Sequence, residues 1–390
     1  MADVIRWCLF LVVLIGNCGF WLFCFNRANS TGLKRKITKR IEKVLVVLCF
    51  AIPLAILILE WPDIVKWSTA RFVWPHSTLM HLWYIASLTV VAILGPAWLE
   101  SRRWLWPPDN LVDQSQTDFD VESEIDGPST GTKLTSFLNR LPGNDITQLS
   151  VTQKTLRLPR NIPGLEGLTI GHISDLHFTG QFTLEHYRFV LDQFQQLRPD
   201  IIAVTGDVID YLQCLPWIEE LLAPLDAPVA KLFVLGNHDR RLPDVSEVAD
   251  RISALGFLDV GRDNQIVEFD DLSIHVAGNE APWLERHNSD QRDWPAGDDS
   301  VFRLGLSHAP DQIGWAREHH IDLMLAGHTH GGQARFPFIG PIVAPSRYGS
   351  RFASGVFLLK PTLMHVSRGV AGTHPVRFRC KPEVSLLKIQ

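Results

Sequence analysis

Apolar residues are distributed unevenly along the 390-residue chain, and the longest uninterrupted runs lie near its N-terminal end. Two of these runs, about residues 5–25 and 81–99, reach the roughly 20 residues that an α-helix needs to cross a bilayer core. A third run, about residues 44–61, carries Pro53 and is compatible with a span, a re-entrant segment or an interfacial helix. The pattern predicts a membrane region over residues 1–106 with two or three transmembrane helices.

The loops between these runs differ in positive charge. Seven Lys and Arg residues separate the first two runs, whereas only Lys66 and Arg71 separate the second from the third. Positively charged loops stay in the cytoplasm. A multi-pass protein with three spans would therefore place its C-terminal region on the cytoplasmic side of the inner or plasma membrane. If the second run does not cross, that region lies outside instead.

The composition changes again after the last apolar run. The stretch from Pro107 to Thr132 holds seven acidic residues, no basic ones and few large apolar ones. Such a segment cannot bury enough apolar surface to offset the entropy of ordering it. Residues 107–150 are therefore predicted to be an acidic, disordered linker.

From about residue 151 to the C-terminus, short apolar runs alternate with amphipathic stretches. Residues 168–174 and 201–204 read as strands, and residues 184–197 read as a helix with one apolar stripe. Strands that alternate with helices predict a layered α/β architecture over residues 151–390. The polar stretch 283–300 is predicted to be a surface insertion.

Polar side chains recur at the points where the predicted strands end. Five strand ends deliver Asp, Asn or His: Asp175 with His177, Asp207, Asn237 with His238, His308, and His328 with His330. Ligands of open α/β sheets collect outside the carboxyl ends of the strands. The five ends are therefore expected to converge on one site. His172 and His365 are expected to be strand residues of the core without a ligand role.

The residue types at these strand ends suit metal ions. Carboxylate, amide and imidazole ligands favour Mn, Fe or Zn, and seven candidate ligands are too many for one tetrahedral ion. The set predicts two divalent ions that share one bridging carboxylate. A single strand-end Asp or His is more often a cap or a turn residue, so the prediction rests on the whole set.

The series DLH, GDVID, GNHD, SH and GHTH resembles the calcineurin-like metallophosphoesterase superfamily over residues 151–390. The resemblance implies a four-layer α/β/β/α sandwich, here preceded by the N-terminal transmembrane region. It implies two ligand sets and one bridge: Asp175, His177 and His330 for one metal, Asn237, His308 and His328 for the other, and Asp207 between them. It also implies that His238 is the catalytic histidine and that Asp239 orients it.

The longer stretches GHTHGGQARFPFIGP, VSRGV and PVRFRCKPE are similar to a bacterial membrane-associated branch of the superfamily, whose members act on phosphodiesters. Some members of that branch cleave the pyrophosphate of UDP-2,3-diacylglucosamine. The expected function is a membrane-anchored phosphohydrolase in which a metal-bridging hydroxide attacks a phosphodiester or pyrophosphate. A lipid-linked molecule is among the candidate substrates.

Three arginines, Arg240, Arg241 and Arg368, are candidate contacts for a substrate phosphate, because guanidinium groups pair well with phosphate oxygens. Two alternative functions stay open: a protein or nucleotide phosphatase, and a non-catalytic membrane scaffold with a vestigial phosphoesterase fold. The net charge of −5 gives no indication of nucleic-acid binding.

Overall fold

The computed structural model describes residues 2–69, 74, 77–285 and 300–390, and the chain divides into two compact units, Met1–Trp106 and Pro107–Gln390. Most of the predicted insertion at 283–300 lies outside the described residues. The helices are α1 (Ala2–Ala28), α2 (Arg35–Leu59), α3 (Trp61–Thr69), α4 (Thr78–Ser101), α5 (Val121–Glu124), α6 (Lys133–Asn139), α7 (Leu184–Gln195), α8 (Pro216–Leu222), α9 (Val245–Ala254) and α10 (Ile313–Glu318).

Within the described residues, the strands belong to the second unit. They are β1 (Leu111–Asp120), β2 (Gln148–Leu156), β3 (Thr169–Ile173), β4 (Ile201–Thr205), β5 (Ala230–Val234), β6 (Phe257–Asp259), β7 (Gln265–Phe269), β8 (Leu272–Asn279), β9 (Phe302–Ser307), β10 (Leu323–Ala326), β11 (Arg335–Phe336), β12 (Gly340–Pro341), β13 (Gly355–Leu359), β14 (Thr362–Val366) and β15 (Glu383–Ile389).

The first unit contains three helices, α1, α2 and α4, that are long and apolar enough to cross a membrane. The second of these includes Pro53 and is longer than its apolar run. It begins at Arg35 because the basic residues before the run are good helix formers and continue the same helix. Asn17 of α1 donates to the carbonyl oxygen of Cys49 at 3.0 Å and accepts from the indole of Trp83 at 3.3 Å. These bonds join the three helices through one polar side chain.

The second unit is built on two sheets. The seven-stranded sheet has the order β1-β2-β15-β3-β4-β5-β6, and the six-stranded sheet has the order β13-β14-β10-β9-β8-β7. Strands β3, β4 and β5 run parallel, as do β9 and β10. The C-terminal strand β15 inserts between β2 and β3, parallel to the first and antiparallel to the second. The carboxyl ends of five parallel strands therefore deliver the predicted site residues.

Alternating side chains of the central strands divide the core of this unit in two. On β4, Ile202 and Val204 face a core formed with helices α7, α8 and α9, whereas Ile201 and Ala203 face a second core. That second core is shared with apolar residues of β8, β9, β10 and β14 and lies between the two sheets. Because both faces of β4 are covered, all five of its residues are buried.

The prediction of a disordered linker over residues 107–150 is wrong. Residues 111–120 form the edge strand β1, which pairs antiparallel with β2 from Leu111↔Leu156 to Asp120↔Gln148. Backbone hydrogen bonds rather than apolar burial hold this strand, since most of its side chains are exposed. One of its acidic side chains is paired, since Asp118 accepts from Ser150 at 2.6 Å and from Lys381 at 2.9 Å. Charged edge strands also resist pairing with other chains.

Candidate metal centre

The predicted site residues converge where the two sheets meet. Three groups of side chains have ligand atoms that all lie within 4.8 Å of one another: Asp175 with His177 and His330, His177 with Asp207 and His238, and Asp207 with His308 and His328. Asp207 belongs to two of these groups, which suits the predicted bridge. Asn237 joins the third group, with its Oδ1 atom 3.1 Å from Nε2 of His308. All seven predicted ligands are therefore brought together.

The backbone at this site is unusual in its dihedral angles. Five of the predicted ligands have φ between 48° and 70°, in the left-handed region: Asp175, His177, Asp207, His328 and His330. Residues with side chains enter this region at a cost, and such residues cluster at functional sites where the surrounding structure holds them. The chain therefore bends sharply after β3, β4 and β10, where these residues lie near the common centre.

Close backbone approach explains two of the glycines in the motifs. A Cβ atom on Gly236 would lie 2.2 Å from Oδ1 of Asp207, and one on Gly327 would lie 1.8 Å from Oγ of Ser174. Neither distance is possible for a real side chain. Both glycines are therefore required because the ligand-bearing loops of neighbouring strands touch there.

The ring of His308 presents a lone pair to other acceptors. Its Nδ1 lies 2.8 Å from the carbonyl oxygen of Thr205, so this nitrogen donates and Nε2 of the neutral ring accepts. That Nε2 lies 3.2 Å from Oδ2 of Asp207 and 3.0 Å from Nδ1 of His328. An accepting ring nitrogen that faces the carboxylate oxygen of Asp207 and the amide oxygen of Asn237 is an arrangement that a cation among them would stabilise.

Two further rings are oriented in the same way. His177 donates from Nδ1 to Oδ2 of Asp210 at 2.7 Å, and His330 donates from Nδ1 to the carbonyl oxygen of Ala371 at 3.0 Å. In each case the other nitrogen, Nε2, is directed toward Asp175, at 3.8 Å from Oδ1 for His177 and 3.6 Å for His330. Metal-binding histidines typically donate their second ring N–H to a carboxylate or carbonyl in this manner.

Several buried atoms at the centre have no protein partner. Nε2 of His177, Oδ2 of Asp207 and Nε2 of His328 lack a hydrogen bond within the described part of the chain. Leaving buried polar atoms unpaired costs about 1–3 kcal/mol each, so native structures avoid it. The donor set of carboxylate, amide and imidazole groups and these orphaned atoms fit a pair of divalent metal ions.

The pKa shifts of the side chains in the centre also favour a bound cation. Burial raises the pKa of Asp207, but the imidazoles of His308 and His238 hold it well below its usual range. Burial lowers the pKa of His308, yet the carboxylates of Asp207 and Asp175 and the Thr205 carbonyl raise it to about 9. A proton on His308 thus takes the place that a metal ion would fill.

The structure corrects the prediction that Asp239 orients His238. The two oxygens of Asp239 instead accept the backbone N–H groups of Asp207, Val208, Ile209 and Gly236 at 2.8–2.9 Å. Burial and the neighbouring Asp207 raise the pKa of this carboxyl to about 7, against the effect of these hydrogen bonds. Asp239 therefore shapes the loop after β4 and does not touch the ring.

Asp210, which sequence reasoning did not assign, contacts the ring instead. One of its oxygens accepts from His177, and the other contacts Nδ1 of His238. The imidazoles of His177 and His238 lower the pKa of Asp210 although burial opposes them. A signal was present in the sequence, because Asp210 closes the same GDVID segment that supplies Asp207.

The three candidate phosphate contacts occupy different positions. Arg241 contacts the His238 ring and donates to Oδ1 of Asp210 at 2.9 Å, so it borders the centre. Arg368 pairs with Glu383 at 3.1 Å, and Arg240 is exposed. Burial lowers the pKa of His238 to about 4, although Asp207 and Asp210 oppose this.

Comparison with known proteins identifies the fold and the class of chemistry. The calcineurin-like phosphoesterase profile matches residues 168–332, which contain every predicted metal ligand. An uncharacterized metallophosphoesterase of Bacillus subtilis, YkuE, is 32% identical over 257 residues, covering 62% of this chain and 86% of that protein. The chain belongs to the calcineurin-like metallophosphoesterase family. Its members are metal-dependent phosphoester hydrolases, so the predicted family and enzyme class are confirmed.

Two other relatives of this metallophosphoesterase carry more specific names. Phosphodiesterase YaeI of Escherichia coli is 26% identical over 221 residues, covering 56% of this chain and 80% of that protein. The UDP-2,3-diacylglucosamine pyrophosphatase LpxG of Chlamydia muridarum is 23% identical over 292 residues, covering 62% of this chain and 89% of that protein. The predicted similarity to the diacylglucosamine pyrophosphatase branch is therefore confirmed as a similarity.

Proposed function

We propose that this metallophosphoesterase is a membrane-anchored enzyme that hydrolyses phosphodiester or pyrophosphate bonds at a two-metal centre. The observation that supports it most directly is the convergence of buried ligand atoms in one place, where Oδ2 of Asp207 and Nε2 of His177, 3.5 Å apart, both lack a hydrogen bond in the described part of the chain. Only cations stabilise such an arrangement in a buried site. The proposal includes the four-layer α/β/β/α arrangement that is typical of the family.

Each residue has a proposed role. Asp175, His177 and His330 would hold one ion, and Asn237, His308 and His328 would hold the other, with Asp207 between them. Bound ions would neutralise negative charge on the phosphoryl oxygens and lower the pKa of water. Mn, Fe and Zn all fit this donor set.

His238 is the proposed proton carrier. Its Nδ1 is held by Asp210, and its Nε2 lies 3.9 Å from Oδ2 of Asp207, on the side of the metal centre. From there Nε2 of the protonated ring would donate its proton to the leaving oxygen of the substrate. Arg241, which contacts both His238 and Asp210, would shift toward a substrate phosphate that enters the centre.

The N-terminal helices support membrane anchoring and a lipid-linked substrate. The basic residues at the start of α2, among them Lys39 and Lys43, favour a topology in which the catalytic unit faces the cytoplasm. A tether of this kind raises the effective concentration of the enzyme at the membrane surface. The similarity to a UDP-2,3-diacylglucosamine pyrophosphatase makes a lipid-linked pyrophosphate the first substrate to test.

The test uses the full-length protein in lipid nanodiscs loaded in turn with Mn²⁺, Fe²⁺ and Zn²⁺. We expect turnover of bis(p-nitrophenyl) phosphate and of UDP-2,3-diacylglucosamine, with products identified by mass spectrometry, and little turnover of p-nitrophenyl phosphate. A preference for the monoester would indicate a phosphatase instead. Absence of turnover with every metal, in protein shown to contain two ions, would favour the scaffold alternative.

A further inference from the structure

The region beside the metal centre has an unusual charge distribution. Residues 323–382 contain eight basic residues and no acidic one, so all 42 acidic residues of the chain lie elsewhere. This stretch begins in β10, includes His328 and His330, and ends just before β15. This basic stretch therefore carries two of the predicted metal ligands, in a chain whose net charge is −5.

A short hairpin in this region exposes aromatic side chains. Strands β11 and β12 pair antiparallel, and the turn between them carries Phe338, whose side chain is fully exposed. Phe336 and Ile339 in the same hairpin are also exposed. The hairpin begins five residues after His330, so it lies close to the metal centre in the chain. A large apolar tip in water is a sign of an interaction surface.

Helix α6 presents a second exposed apolar set. Leu134 and Phe137, three residues apart on α6, are each 62% exposed, and Leu141, two residues after the helix ends, is 43% exposed. Residues at this spacing share one side of a helix. Lys133 and Arg140 lie next to them in sequence and are also exposed, and residues 133–141 contain no acidic residue.

Phe378 connects the hairpin to the segment that follows α6. Its backbone N–H donates to Gln333 at 2.8 Å, and its carbonyl oxygen accepts from Arg335 at 2.9 Å. On the other side it forms a bridge with Asn144, and its ring packs directly against Gly143. The base of the hairpin and the segment after α6 therefore meet at Phe378, whose own side chain is 38% exposed.

We propose that this surface, formed by α6, Phe378 and the β11–β12 hairpin and called the docking face below, lies against an anionic lipid bilayer. Apolar side chains that enter the boundary between headgroups and acyl chains, surrounded by basic residues, are the features of interfacial binding. Anionic headgroups attract exposed basic residues such as Lys133 and Arg140. A bilayer is favoured over a protein partner because the same chain carries three helices long and apolar enough to span one.

The inference rests on the proposed membrane anchoring but needs no catalytic activity. The carbonyl oxygen of His330 accepts from the backbone N–H of Gln333 at 3.0 Å and from Sγ of Cys380 at 3.3 Å. Because Gln333 also bonds to Phe378 of the docking face, the metal centre would lie at the level of the lipid headgroups. A substrate phosphate in that layer would reach the centre without leaving the membrane.

The test places the photoreactive amino acid p-benzoylphenylalanine at single positions of the full-length protein in phosphatidylglycerol nanodiscs. Position 338 probes the docking face. Position 266, where Ile266 is 62% exposed on β7, is the matched control on another part of the same unit. Position 93, on α4, reports whether that helix is in the bilayer. After illumination, lipid adducts are counted by mass spectrometry.

We expect lipid adducts at positions 93 and 338, with about tenfold fewer at position 266. Adducts at 93 together with equal yields at 338 and 266 would overturn the docking face and leave the anchoring intact. The absence of adducts at 93 would overturn the anchoring and the docking face together. Adducts from position 338 to a second protein chain would replace the bilayer by a protein partner. Metal-dependent turnover, measured separately, tests the catalytic part of the proposed function.

Charge reversal tests the second component of the surface. Lys133→Glu combined with Arg140→Glu should lower the adduct yield at position 338 about tenfold in phosphatidylglycerol nanodiscs. The same pair of changes should have little effect in phosphatidylcholine nanodiscs, where the yield starts lower. An unchanged yield in the anionic discs would contradict the proposed electrostatic contribution.

Discussion

Two buried histidine clusters in the catalytic unit differ in how their polar atoms are satisfied. In the metal centre, Nε2 of His308 faces two oxygen acceptors, Oδ1 of Asn237 at 3.1 Å and Oδ2 of Asp207 at 3.2 Å. In the second cluster, between the sheets, His172 and His365 lie with their Nδ1 atoms 2.8 Å apart, and each ring has a further partner. The two clusters meet at Thr205, whose carbonyl oxygen accepts from His308 and whose hydroxyl contacts His172.

The second cluster forms a continuous series of hydrogen bonds in which each donor has an acceptor. Lys154 donates to Oε1 of Glu383 at 2.6 Å and to Nε2 of His365 at 2.9 Å. His365 can then donate from Nδ1 to His172, and His172 can donate from Nε2 to Thr205 at 2.9 Å. Burial and the positive Lys154 lower the pKa of His172 to about 3, so the ring stays neutral.

This difference in hydrogen-bond geometry distinguishes structural histidines from functional ones. Burial alone does not distinguish them, since His172, His308 and His365 are all fully buried. Donors and acceptors alternate in the cluster that the protein satisfies by itself, whereas acceptors meet acceptors in the one that needs a cation. The following predictions test this distinction, in order of decreasing expected effect on turnover.

Asp207→Asn should have the largest effect, because it removes the charge that both proposed ligand sets share. We expect loss of bound metal and a fall in turnover on the order of a thousandfold. Metal content is measured by plasma mass spectrometry and turnover with bis(p-nitrophenyl) phosphate. Asp250→Asn, on the exposed side of α9, is the matched control. An Asp207→Asn variant that still holds two ions would contradict the bridging role.

His238→Ala should separate chemistry from metal binding. We expect two ions per chain and a fall in turnover of about a hundredfold, at the lower end of the range for general acid catalysis. His320→Ala, at an exposed position after α10, serves as the control. Turnover close to that of the unchanged protein, with the metal content confirmed, would rule out the proton-carrying role.

Asp210→Asn tests the carboxylate that the structure adds to the site. The change keeps the shape of the side chain but removes the charge that orients His177 and His238. Loss of such a partner typically costs about 10–100-fold in metal affinity or activity. Metal titration and the pH profile of turnover should both change. Asp244→Asn, which keeps the helix cap of α9, should change neither.

The sequence predicts the convergence of the strand ends well, because apolar strands and their polar termini are local features. It does not predict the left-handed backbone of Asp175 or His328, since that conformation is imposed by neighbouring loops. The assignment of Asp239 to His238 fails for the same reason, because only the packing of the loop after β4 decides which carboxylate reaches the ring. The sequence does not predict strand β1, because its side chains are mostly exposed and polar and so do not alternate between apolar and polar positions.

His365→Leu should have the smallest effect on turnover and the clearest effect on stability. The change removes the partners of Lys154 and His172, so two buried polar groups each lose a hydrogen bond, at a cost of about 1–3 kcal/mol in the free energy of unfolding. Metal content should stay at two ions per chain, because neither lost bond reaches His308. Thermal unfolding, followed together with metal content, measures both quantities. If His365→Leu lost metal as readily as Asp207→Asn, the two clusters would be one functional unit, and the distinction drawn from their hydrogen bonding would not hold.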